Sequence, residues 1–225
     1  MVFQFNTQAA AKFFAVVVLS LGLGVSGQSA FAAPPSEGVV QLQTQWADAM
    51  YKSRGEGKEK QLEKLSDQAR TLVGSSPDDA NALIWEGIVL GSYAGAKGGL
   101  GALGLVKEAK SAFEKAISLN AKALDGSAYT SLGSLYYQVP GWPLGFGDDA
   151  KAEDFLKKGL AINPNGIDPN YFYGDFLFRQ GRYIESEAAL NKALAASARP
   201  GRELADEGRR GEIRDLLVKV KSKKG

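Results

Sequence analysis

Apolar residues recur at intervals of three and four along most of this chain, the spacing that places them on one face of an α-helix. Leu42, Trp46 and Met50 step by four. Leu62, Leu65, Ala69 and Leu72 follow the same rule, as do Ala109, Phe113, Ala116 and Ile117. Ala152, Leu156, Gly159 and Leu160 continue it, then Ala189, Ala193 and Leu194, and Ile213, Leu216, Leu217 and Val220 close the chain. No segment alternates apolar and polar residues as a half-buried strand would. The pattern therefore predicts an all-α protein. Helix starts are also marked. Ser76-Pro77-Asp78-Asp79 and Asp168-Pro169 each set a capping side chain before a proline at the first helical position. Asp148 and Asp149 follow Gly147, which suits the positive end of a helix dipole.

The helical pattern repeats at a coarser level. A small residue sits in a first helix at Gly87, Gly133 and Gly174, and a second helix follows each with an alanine-rich stripe. Small residues at these points let two helices pack closely. Tyr129, Leu132, Gly133 and Tyr136 read as one such first helix, with Ala152, Leu156, Gly159 and Pro164 in the second. Ala109, Phe113 and Ala116 mark another second helix. Gly174, Leu177, Gly181, Tyr183, Leu190 and Ala193 mark a final pair.

These residues resemble the tetratricopeptide (TPR) repeat, a helical hairpin of about 34 residues. The resemblance spans residues 77–198, with a degenerate N-terminal hairpin at 33–76 before it and a capping helix with a basic tail at 199–225 after it. It implies a right-handed superhelical solenoid of about four hairpins, whose last face the capping helix covers. Lys219 to Lys224 are expected to face water.

Aligning the repeats on their glycines leaves extra residues twice in the same place, at 94–103 (AGAKGGLGAL) and at 140–146 (PGWPLGF). Both fall between the two helices of a repeat. In a stacked solenoid such insertions lie along one edge, and insertions on one face often mark the binding face. The stretch from Tyr136 to Pro164 also resembles the T-component proteins associated with TRAP transporters, which are periplasmic TPR-like proteins. That resemblance implies association with a solute-binding system. Many of its members carry a lipid anchor, and this chain has no cysteine to bear one.

Aromatic residues crowd the repeats, and adjacent ones cannot all face inward. Tyr93, Tyr136, Tyr137, Trp142, Phe146, Tyr171 and Tyr173 are the candidate groove and loop residues for binding. Trp142 stands out because a loop need not bury it. The reading that follows is a concave aromatic groove flanked by two loops. If it captured a solute, the loops would enclose about 300–1,000 Å³ lined by Trp142 and Tyr136.

Composition narrows the chemistry further. The 225 residues include no His and no Cys, which removes thiol nucleophiles, Cys/His zinc sites and the Ser-His-Asp triad. A formal net charge of +2 gives no reason to expect nucleic-acid binding. Gly99-Leu100-Gly101-Ala102-Leu103-Gly104 spells a G-x-G-x-x-G run, but no strand precedes it as a dinucleotide site requires. Residues 163–170 are rich in side-chain oxygens without the register of a calcium loop. Asp148, Asp149, Glu153 and Asp154 read as helix caps and surface pairs. No cofactor, no metal and no catalytic residue are expected, and an enzyme ranks last.

The N-terminus carries a targeting pattern. Lys12 precedes an apolar run from Phe13 to Val25, and Ala30-Phe31-Ala32 follows as a cleavage site. Residues 1–32 are expected to be a signal peptide cut after Ala32, which would leave no stable membrane anchor. The run falls short of the roughly 20 residues a span needs; a retained anchor is the alternative. A periplasmic or secreted protein is expected. Its leading function is a non-catalytic adaptor for partner proteins of the cell envelope. The alternative is an accessory component of a TRAP-type transporter that holds a small apolar or organic-acid solute.

Overall fold

A computed structural model of the chain describes residues 34–224. The expected signal peptide lies outside these residues. Among them are nine α-helices and no strand. Four antiparallel hairpins follow one another: α1 (Glu37–Tyr51) with α2 (Gly55–Ser75), α3 (Ala80–Lys97) with α4 (Ala102–Asn120), α5 (Ser127–Gln138) with α6 (Asp149–Ile162), and α7 (Ile167–Arg179) with α8 (Tyr183–Leu194). A final helix, α9 (Glu203–Lys224), completes the chain. None of these helices is long and apolar enough to cross a membrane.

Each of the last three hairpins closes through its glycine. A Cβ on Gly87 would meet the Phe113 ring at 2.5 Å. One on Gly133 would lie 2.8 Å from Leu156 Cγ and 3.0 Å from the Leu156 backbone nitrogen, and one on Gly174 would sit 2.8 Å from the Leu190 side chain. These contacts bring α3 onto α4, α5 onto α6 and α7 onto α8, as the small-residue pattern implied. Between them Leu132, Leu156, Phe113, Phe176 and Leu177 form the buried central core. Trp46, Leu62, Leu65 and Trp85 build a second cluster at the N-terminal end.

First helices of successive hairpins touch in order, α1 with α3, α3 with α5, and α5 with α7, so they form one continuous inner wall. α9 then does two things. Ile213, Leu216, Leu217 and Val220 cover the apolar face left by Ile167, Leu190 and Ala193, which is the expected capping role. Its first half also crosses to the other end of the molecule and packs on α1, where Gly208 lies so close to Tyr51 that a Cβ would fall 2.3 Å from the ring. The solenoid's last helix therefore touches its first.

Several local expectations change. Residues 94–103 are not a loop: α3 runs on to Lys97 and α4 begins at Ala102. Alanines and Lys97 extend the helix, and the turn is left to Gly98 and Gly99, whose φ angles of 63° and 60° suit glycine. The cap of α3 is Asp79, which accepts from the Asn81 amide at 2.8 Å, so Ser76 lies a turn too early. α7 is capped by Gly166, and Asp168 sits inside its first turn with other partners. Asp148 does cap α6, accepting from the Lys151 amide at 3.0 Å.

Candidate functional site

The inner wall bounds the main cavity, about 1,150 Å³ in volume. Its lining follows helical spacing on every wall helix. Trp46 and Met50 come from α1, Gly87, Gly91 and Gly95 from α3, and Ser127, Ser131 and Gln138 from α5. α7 adds Asp168, Tyr171, Phe172, Asp175 and Arg179. Glycines of α3 and serines of α5 thus line the middle of the groove beside Ile88 and Leu135. A Cβ on Gly95 would meet nothing within 4 Å, so space opens directly on the backbone there. The fourth side is a strap made of residues 195–202 and the start of α9, which brings Arg199, Arg202 and Arg209 to the cavity.

The strap is held by a charged cluster. Asp168 accepts from Arg199 at 2.6 Å and from Arg209 at 2.9 Å. Asp206, almost wholly buried, pairs with Arg199 at 2.6 Å, and Glu212 pairs with Arg209 at 2.5 Å. Burial pushes the Asp168 carboxyl up, but Arg209 and Arg199 outweigh it and hold it down at about 2. Arg209 also lies against Tyr171 and Phe172, 4.4 Å and 4.7 Å from their ring centroids. Burial drives the Tyr171 hydroxyl up to about 12, against the opposing pull of Arg209.

Only one of the seven candidate aromatics lines this cavity. Tyr171 does so directly. Tyr137 is buried behind the wall and donates to Asp175, a lining residue, at 2.8 Å. Tyr93 is core: its hydroxyl donates to Glu63 at 2.8 Å and accepts from Lys97 at 2.9 Å. Tyr136 stacks on Phe155 at 5.5 Å and meets Phe146 edge-on at 5.4 Å. Tyr173 stacks on Phe176 at 6.4 Å. Trp142 lies outside the groove, on the turn between α5 and α6, and is 90% exposed.

The groove's rings are therefore Trp46, Trp85, Phe113, Tyr171 and Phe172, of which only Tyr171 was expected, and glycines and serines lie among them. Most of the other candidate rings fill the seams between helices, where most of their area is buried. Of the two insertions only 94–103 reaches the cavity, through Gly95 and Ala96; residues 140–146 do not line it, and neither Trp142 nor Tyr136 does. Sequence reasoning missed the serines of α5, although Ser127, Ser131 and Ser134 stand at spacings of four and three. Nor did it single out Arg209 within the basic C-terminal segment. Arg209 is buried, while Lys219, Lys221 and Lys223 do face water.

The 3-10 turn Ala123–Gly126 adds strain at the rim. Leu124 and Asp125, both lining the cavity, have φ angles of 45° and 55°, a region non-glycine residues rarely occupy.

Comparison with known proteins agrees with this architecture. Residues 100–122, the turn before α4 and most of that helix, match the tetratricopeptide repeat model. No curated protein sequence matches the chain. Among solved structures, a thermophilic TPR protein from Thermus thermophilus is similar at a TM-score of 0.54 and 16% identity, covering 81% of this chain and 96% of that one. A structure of MamA gives a TM-score of 0.43 at 17% identity, covering 73% and 89% of the two chains. The wall helices start at Ala80, Ser127 and Ile167, intervals of 47 and 40 residues, against the roughly 34 of a plain repeat. By repeat match and by shared fold, this chain is a solenoid of the tetratricopeptide-repeat type.

Proposed function

We propose that this chain is a non-catalytic interaction module whose groove holds an extended segment of a partner protein in the cell envelope. The observation that carries this reading is the groove's lining. Gly91 and Gly95 let a bound backbone approach closely, and Ser131, Ser134 and Gln138 offer hydroxyl and amide groups to its N–H and C=O. The volume of about 1,150 Å³ also exceeds the range of about 300–1,000 Å³ usual for small-ligand pockets. Export rests on the N-terminal pattern. It is tested by N-terminal sequencing of the mature protein from the envelope fraction, which should begin at Ala33.

The groove is tested with peptides selected from a display library against the wild-type protein. Ser131→Trp should fill the groove and weaken their binding at least tenfold, with an unchanged circular dichroism spectrum. Trp142→Ala should bind them normally. Equal binding by Ser131→Trp would remove the groove reading.

A second reading is capture of an organic acid, as the resemblance to TRAP-associated proteins implies. Basic side chains outnumber acidic ones by two in the cavity lining, which favours it. The strap, rather than the two insertions, would then close the site.

A further inference from the structure

Where the strap meets α3, the cavity wall leaves two hydrogen-bond donors without a partner. Among the described residues, the buried side-chain nitrogens with no acceptor are Trp85 Nε1 and Arg202 Nε. The two residues are neighbours: the Arg202 guanidinium lies over the Trp85 ring, 5.0 Å from its centroid. Both line the cavity. Trp85 is only 2% exposed, so bulk water does not serve its indole N–H. Buried donors without partners are rare in folded proteins, and each one calls for an explanation.

The surrounding groups do not supply one. Trp46, edge-on to Trp85 at 5.7 Å, gives its own indole N–H to Ser92 Oγ at 2.8 Å. Asp168, Asp206 and Glu212 are engaged by Arg199 and Arg209. Among the described residues, Arg202 has no ion-pair partner. Burial, and then repulsion from Arg199, push its pKa below the usual arginine range, against the weaker pull of Asp168 and Asp206. The cation thus lacks a counter-charge within a wall that holds one for each of its neighbours. Contact with the Trp85 ring places the guanidinium but uses none of its N–H groups. An indole donor beside an unpaired guanidinium suits a planar anion with two acceptor oxygens.

We propose that Trp85 Nε1 and Arg202 form a carboxylate-binding subsite at the strap end of the groove. The proposal rests on the reading of the groove as a binding site and names the ligand chemistry it takes. The carboxylate belongs either to a small organic acid or to an acidic side chain of a bound segment.

The indole N–H of Trp85 gives its own signal in a ¹⁵N–¹H correlation spectrum, one of three from the chain's three tryptophans, and Trp85→Phe identifies it. The probes are succinate and phenylacetate against their amides, and an amidated Gly/Ser peptide with one Asp against the same peptide with Asn. Carboxylates should move the Trp85 signal and their amides should not. Arg202→Met should weaken binding at least tenfold while the Trp46 and Trp142 signals stay in place, and Arg202→Lys should recover part of the loss. A response to the small acids alone assigns the site to a solute; a response to the Asp peptide alone assigns it to a partner segment.

No movement with any carboxylate, an equal response to amides or to inorganic phosphate, or unchanged affinity in Arg202→Met each overturns the proposal. The groove reading is judged separately by Ser131→Trp. If that substitution abolishes peptide binding while the Trp85 signal ignores every carboxylate, the groove stands and the subsite falls.

Discussion

Asp168 ties the first turn of α7 to arginines 31 and 41 residues further along the chain. Its carboxyl is held at about 2 in the folded protein, below its ordinary 3.8. A depressed carboxyl pKa stabilises the fold above the unfolded value, and the contribution is lost as pH falls through the folded one. Asp168→Asn should therefore cost about 2 kcal/mol at pH 7 in urea unfolding. The gap to wild type should close as pH falls from about 4 towards 2. A gap that stays constant over that range would show that the pairs contribute no pH-dependent stability. Gly133 gives a second test. An added methyl there would press on both the backbone and the side chain of Leu156, so Gly133→Ala should lose about 1–3 kcal/mol. These two residues also show what a sequence discloses. Gly133 was legible as a close-packing point because its spacing to Tyr136 and to the following alanines is local. Asp168 beside Pro169 spells a helix cap, and nothing near it announces Arg199 or Arg209.

At the scale of elements, the turn between α5 and α6 is built rather than slack. The Gly147 amide donates to Pro140 O and the Asp148 amide to Tyr136 O, both at 2.9 Å. A Cβ on Gly147 would fall 2.0 Å from Val139 O, so only glycine fits there. The two aromatics of this turn, both taken as binding candidates from the sequence, have opposite roles. Phe146 packs edge-on against Tyr136, while Trp142 reaches into solvent. Phe146→Ala should lower stability by about 1–3 kcal/mol, and Trp142→Ala should stay within about 0.5 kcal/mol of wild type in thermal unfolding. Equal losses would mean that Trp142 packs in solution. The other insertion was misread because glycine-rich composition suggested a loop. Most of AGAKGGLGAL continues the helices on either side, since only consecutive glycines with positive φ were needed to reverse the chain.

For the whole molecule, the hairpin order and the buried face of each helix were legible, because helical periodicity is local and recurs. The composition of the groove was not. It depends on which face of α1, α3, α5 and α7 turns inward once the hairpins stack, and on where α9 runs after it leaves α8. That path has a further consequence. A repeat array held together by neighbour contacts behaves as a one-dimensional chain, and such a chain melts from its free ends. Here the contact of α9 with α1 gives the terminal hairpin a neighbour on each side. Gly208→Ala, which forces the helix off Tyr51, should lower amide-exchange protection in α1 and α2 first and leave α5 and α6 protected. In wild type, exchange should instead report a single opening free energy around the whole circuit, because joining the ends removes the places where unravelling would begin.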